Sequence, residues 1–132
     1  MSHFTKMNTN MNDLTRAIKA AQRLNLEVLQ SSGTPLYAKG FMGEQIEALA
    51  VIRTGTRYDI GIVREADGTI GLEADWDLIE KTSDLRKETL IQKLKQQYAL
   101  LTVEETAKAQ GLSLSTPVIA EDGSIEVTVN QW

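Results

Sequence analysis

Glu73, Asp75 and Asp77 alternate along a stretch that reads as the end of a strand. In an extended chain alternate side chains project to the same side, so the three carboxylates would line one face. Oxygen ligands grouped in this way suit a hard divalent cation, calcium or magnesium. The spacing lacks the closing Glu of a calcium loop, and charges at a strand end also serve to discourage edge pairing. A metal site at Glu73, Asp75 and Asp77 and a solvated strand end are therefore both open readings. Trp76, set between the acids, reads as a packing anchor whose indole N–H finds a partner nearby.

His3 is the single histidine. Its unperturbed pKa of about 6.5 suits a general base, but no Ser/His/Asp grouping or second histidine accompanies it. A ring hydrogen-bonded at a sheet edge is the structural alternative. Ser124, after a turn, reads as a turn residue. Tyr37-Ala38-Lys39-Gly40-Phe41-Met42-Gly43 mixes aromatics, glycines and a lysine. It lacks the glycine order of a phosphate loop or a dinucleotide fingerprint. Lys39 and Phe41, with His3 and Trp76, are the candidates for contact with a ligand or partner. Arg86, Lys87, Lys93 and Lys95 form a strip interrupted by Glu88 and Gln92, the pattern of a solvated helix face.

These residues need elements to hold them. Residues 2–8 read as a short strand. Asn12 or Asp13 offers a cap to a helix whose inner stripe is Leu14, Ala17, Ile18, Ala21 and Leu24, with Asn25 as a left-handed stop. Leu26 to Gln30 forms a strand, and Ser31 to Pro35 a loop. After the turn at Gly40 and Gly43 comes one strand spanning Ile46 to Ile52. Because Leu49 and Val51 oppose Ala48, Ala50 and Ile52, it would be covered on both faces. Strands at Tyr58–Ile62 and Ile70–Ala74 join across Asp67-Gly68, with both central residues at positive φ. Thr82, Ser83 or Asp84 caps a second amphipathic helix with the stripe Ile91, Leu94, Tyr98 and Leu101, running to about Gln110 and breaking near Thr102. Two last strands, Leu114–Ala120 and Ile125–Gln131, pair across Asp122-Gly123. Trp132 would then pack in the sheet. Met1, Met7 and Met11 read as packing residues.

The order β-α-β-β-β-β-α-β-β predicts an α+β fold, a mainly antiparallel sheet with two amphipathic helices on one face. The 132 residues make a single domain, 1–132, large enough to bury a core without staples. Cysteine is absent, which excludes disulfides, thiolate catalysis and Cys-ligated metals from this chain and favours a reducing compartment. A net charge of −4 and a pI near 5.0 argue against a duplex-binding surface, so nucleic acid is not an expected partner. The start of the chain carries no secretory pattern. The longest near-apolar run, Ala48 to Ile52, is too short to span a bilayer, which needs about 20 residues. No cofactor motif and no catalytic assembly is legible.

Several blocks resemble a family of small uncharacterised proteins of cyanobacteria and algal chloroplasts, of the hypothetical-chloroplast-reading-frame type. Met1-Ser2-His3-Phe4-Thr5 is similar to its opening, and Lys39-Gly40-Phe41-Met42-Gly43-Glu44-Gln45 to its Arg-Gly-aromatic-x-Gly-Gln pattern with Glu44 inserted. Tyr58-Asp59-Ile60-Gly61, Ala74-Asp75-Trp76 and Gln97-Tyr98-Ala99, the last without the family's Arg before the tyrosine, add to it. Gly111, Asp122-Gly123-Ser124-Ile125 and Trp132 complete a resemblance in order along the chain. It implies a cytoplasmic or stromal protein of photosynthetic lineage, host- or virus-borne, and supplies no mechanism. The expected role is a non-enzymatic binding or adaptor protein, with a protein partner or a second copy of itself. Leu49 and Val51 would be covered in a homodimer. The alternative is a small-molecule or divalent-metal-binding protein.

Overall fold

The structure, a computed structural model, describes residues 4–115 and 117–131. The expectations placed on Met1, His3 and Trp132 lie outside the described residues. In chain order the elements are β1 (Thr5–Asn8), α1 (Leu14–Arg23), β2 (Glu27–Gln30), β3 (Leu36–Lys39), β4 (Gln45–Ala48), β5 (Ala50–Arg53), β6 (Asp59–Arg64), β7 (Ile70–Ala74), α2 (Trp76–Thr82), α3 (Lys87–Ala109), β8 (Leu112–Leu114), β9 (Val118–Ile119), β10 (Ile125–Glu126) and β11 (Val129–Gln131). The class is α+β, with a five-stranded antiparallel sheet in the order β1-β7-β6-β5-β2.

Strand alternation sorts that sheet into two faces. Ala50, Ile52, Ile60, Ile62, Ile70 and Leu72 face α1 and α3 and form the main core with Ile18, Ala21, Leu94 and Leu101. Burying each of the isoleucines and leucines stabilises the fold by about 1.5–3 kcal/mol, before conformational entropy is counted. Asp13 caps α1, its Oδ1 accepting from Arg16 N at 3.0 Å, and Asn25 takes φ 63 at the helix stop. Arg16 and Arg23 pair with Glu105 and Glu104 on α3 at 2.7 and 2.6 Å.

The opposite face is covered by a device that the strand pattern hid. The single strand expected from Ile46 to Ile52 corners at Leu49: β5 stays in the main sheet, whereas β4 pairs with β3 in a separate two-stranded sheet. Leu36, Ala38, Ile46 and Ala48 turn inward from this hairpin onto Val51, Leu29 and Val63. Val51 is 1% exposed, so the chain's own hairpin covers it, not a second copy. Gly61 lies beneath. A Cβ there would meet Ile46 Cδ1 at 2.9 Å and the Cβ atoms of Ala38 and Ala48 at 3.3 Å. A glycine inside a strand often marks such a close approach.

Three further expectations are corrected. Residues 76–82 form an additional helix capped by Asp75, whose Oδ1 accepts from Leu78 N at 3.3 Å. The helix expected to start from a cap at Thr82, Ser83 or Asp84 begins only at Lys87, after Arg86, whose side chain makes no capping hydrogen bond. The Thr82 and Ser83 hydroxyls instead donate back to Leu78 O and Ile79 O, closing α2. Next, α3 runs through Thr102 without a break, the Thr102 hydroxyl donating to Tyr98 O at 2.9 Å. Its Leu100 and Val103 face the C-terminal hairpin, so α3 is apolar on more than one side. Third, of the Asp-Gly pair in the β6–β7 hairpin only Gly68 takes positive φ. Gly68 N donates to Glu65 O and Glu65 N to Thr69 O, a three-residue loop ending in a glycine bulge. Asp122-Gly123 repeats this pattern, Gly123 N donating to Ala120 O and Ala120 N to Ser124 O.

Candidate functional site

The sheet brings several of the sequence candidates to one end. Lys39, the last residue of β3, donates its backbone N–H to Asp59 Oδ2 at 3.0 Å. The chain then passes Gly40, where an added Cβ would lie 2.5 Å from the Phe4 ring, into a tight turn at Phe41–Gly43. Phe4 precedes Thr5, which pairs with Ala74; Asp75 and Trp76 follow directly. Lys39, Phe41, Asp75 and Trp76 thus gather where β3, β6 and β7 begin or end.

Asp59 organises this end. It is buried, 4% exposed, and its second oxygen lies 3.3 Å from Arg53 Nε on the neighbouring strand. Engaging both oxygens in this way offsets the cost of taking the carboxylate out of water. Its role is to fix the base of the Gly40–Gly43 loop, and the signal for it in the sequence was a charged residue at the head of an apolar strand.

What the loop displays is apolar. Phe41 is 40% and Met42 85% exposed, and Tyr37 and Leu49 are also exposed large hydrophobics. Tyr37 stands opposite Glu47 on the outer face of the hairpin. Met42 adopts φ 50, ψ 41, a left-handed conformation that costs a non-glycine residue about 1–2 kcal/mol. Tyr37 and Met42 lay within the Tyr37–Gly43 stretch but were not among its candidates, since the exposure of both and the positive φ of Met42 are visible only in three dimensions.

The three carboxylates do not share a face. Glu73 remains on β7, Asp75 is buried at the helix cap with 1% exposure, and Asp77 is exposed in the first turn of α2. The strand ends at Ala74, so the alternation that would align them stops there. Among the described residues no group of three or more His, Asp or Glu side chains is placed to hold a metal ion. Asp75 Oδ2 and Trp76 Nε1 have no hydrogen-bond partner among the described residues, so the indole N–H is not satisfied as expected. No helix is long and apolar enough to cross a membrane.

A second concavity, about 480 Å³, lies between α3 and the C-terminal hairpin. Ala99, Leu100, Val103, Ile125 and Val127 form its apolar lining, with Gln92, Lys95 and Gln96 among its polar residues. Gln96 ties the two walls together by donating to Gly123 O.

A family model described as a protein of unknown function (DUF1257) matches residues 20–128. An uncharacterized protein ycf35 of Cyanophora paradoxa is 30% identical over 132 residues, covering 100% of this chain and 98% of the relative. Its counterpart in Pyropia yezoensis is 31% identical over the same length, with the same coverage. No solved structure matches.

Proposed function

The chain belongs to the DUF1257 family of proteins of unknown function, and from that footing we propose that it is a non-enzymatic binding or adaptor protein acting through the Gly40–Gly43 loop. The observation that carries this reading is Met42: a large apolar side chain, 85% exposed, held on strained backbone. Such strain persists only where the surroundings over-determine it, and it clusters at sites of recognition. Here the surroundings are Asp59, Phe4 and Gly61, all committed to seating the loop and hairpin. Phe41, Tyr37 and Leu49 extend the apolar surface along the hairpin, and patches of this kind mark partner sites. A protein is the partner class that fits, in the cytoplasm of a cyanobacterium or the stroma of a plastid. A second copy is one such partner; a monomeric mass by light scattering at micromolar concentration would remove it.

Comparative capture from a cyanobacterial or algal lysate tests the reading. Wild-type chain is expected to retain a partner that Phe41→Ser/Met42→Ser loses, with thermal unfolding of the two proteins unchanged. Equal capture by both would overturn it.

The concavity beside α3 favours a second reading, a small-molecule binder, because its volume and apolar lining fall in the range of ligand pockets. Ligands that bind only the folded state raise the melting temperature. No shift across a panel of amphipathic small molecules, calcium, magnesium and manganese would sink it.

A further inference from the structure

The β3–β4 hairpin is attached to the body of the protein unlike the other strands around it. Its two strands hydrogen-bond to each other in a sheet of their own, whereas β1, β7, β6, β5 and β2 share one continuous ladder. One polar contact, Lys39 N to Asp59 Oδ2, seats the tip end. At the other end the main sheet resumes at Leu49, whose N–H donates to Ile62 O at 2.8 Å. Between them the contact is made by small groups, Ala38 and Ala48 with Ile46 over Gly61. Among the described residues the core under the hairpin holds three buried residues, against eighteen in the core between sheet and helices. Local stability follows buried apolar contact, so units with little of it open while the rest stays folded.

We propose that β3–β4 is a flap. It opens as one cooperative unit between the exposed Ser31–Pro35 loop and the Ala48–Leu49 corner. Its own two-stranded ladder comes apart as it leaves the sheet and uncovers Val51 and the Gly61 face, while the five strands and α1 and α3 remain in place. The open state is a minor population in the free protein, and a partner that contacts the uncovered face would select it. This inference does not depend on the binding role proposed for the loop, because opening is an equilibrium of the free chain.

Native-state hydrogen exchange on the full chain tests it. The amides that hydrogen-bond across the β3–β4 pair are expected to exchange at least about ten-fold faster than the ladder amides of β5, β6 and β7, with a shallower denaturant dependence, as befits a sub-global opening. The chain has no cysteine of its own, so an Ala38→Cys/Gly61→Cys variant can form a single bridge. Ala38 Cβ lies 3.3 Å from the position of a Cβ on residue 61, close to the roughly 3.5–4.5 Å of a disulfide. Oxidation should slow the hairpin amides to the rate of the core, and reduction should restore the difference. Hairpin and core amides exchanging at one common rate in the wild-type chain would overturn the flap, whether or not the double variant folds.

Discussion

The hydroxyl of Tyr98, midway along α3, lies 3.0 Å from the backbone nitrogen of Asp13 and accepts its N–H. It also donates to Asn12 Oδ1 at 3.2 Å, and Arg16 sits over its ring with the guanidinium carbon 5.4 Å from the centroid. One side chain of α3 therefore fixes the entry to α1, at the residue whose own carboxylate caps that helix. Glu105, hydrogen-bonded to Arg16, holds that guanidinium above its ordinary pKa, and an arginine keeps its charge at any working pH. Tyr98→Phe keeps the ring and removes the hydroxyl. A lost hydrogen bond of this kind costs about 1 kcal/mol, and we expect a loss of that size in urea unfolding with an unchanged slope. A loss under a few tenths of a kcal/mol would mean that water replaces the hydroxyl.

Gly61 makes a second, steeper expectation. Valine suits the strand it would join, yet its side chain would enter the space held by Ile46, Ala38 and Ala48. Overpacking of this sort costs about 1–3 kcal/mol. Gly61→Val should lose stability in that range and increase exposure of the β3–β4 hairpin to limited proteolysis. A stability gain, the result that strand propensity alone suggests, would show that the hairpin does not press on the sheet.

Much of the fold was legible because it follows from short-range rules. The stripe of α1, its Asp13 cap, the Asn25 stop, the β6–β7 pairing and the double coverage of Val51 and Ile52 all follow from spacing and local chemistry. The failures share a different cause. Ile46 to Ile52 is apolar on both faces from Ala48 onward, as one doubly covered strand would be, and nothing local marks Leu49 as the point where the chain changes sheets. Leu36 to Lys39 runs straight into the glycine-aromatic loop in sequence, and only its pairing with β4 makes it a strand. At Ala74-Asp75-Trp76 two local rules compete, strand alternation and N-capping. The cap prevailed because the helix buries Trp76 and Ile79 in the core. The loop at Lys39 and Phe41 was visible in composition, but its anchoring through Asp59 and Phe4 is tertiary. His3 and Trp132 lie outside the described residues.

The two Asp-Gly turns tie stability to pH. Hydrogen bonds from the Thr69 hydroxyl and then its amide hold the Asp67 carboxyl below its ordinary value of 3.8. Those from the Ser124 hydroxyl and amide do the same for Asp122. A carboxyl depressed in the folded state contributes stability that is complete above its unfolded pKa and is lost as pH falls through the folded value. Both contributions should therefore be flat at neutral pH and fade below about pH 4. Asp67→Asn and Asp122→Asn keep an acceptor oxygen but cannot be protonated there. Urea midpoints followed from about pH 6 to about pH 2 should fall less steeply in the double variant. An identical acid limb would show that neither turn is linked to folding.

Met42 offers the sharpest separation between folding and function. Its φ of 50 is strained for a residue with a Cβ, and its side chain, 85% exposed, contributes little to packing. Glycine removes the strain of about 1–2 kcal/mol and returns about 0.5–1 kcal/mol through its greater unfolded-state freedom. The difference predicts that Met42→Gly is more stable than the wild type by about 0.5 kcal/mol. If the loop is a recognition element, the same substitution should weaken capture of the partner, because the exposed apolar group is gone. Stability and binding would then move in opposite directions at one residue, the trade-off expected where a fold carries strain for a purpose. A destabilised Met42→Gly would mean that the side chain serves the fold. An unaffected partner would mean that recognition lies elsewhere.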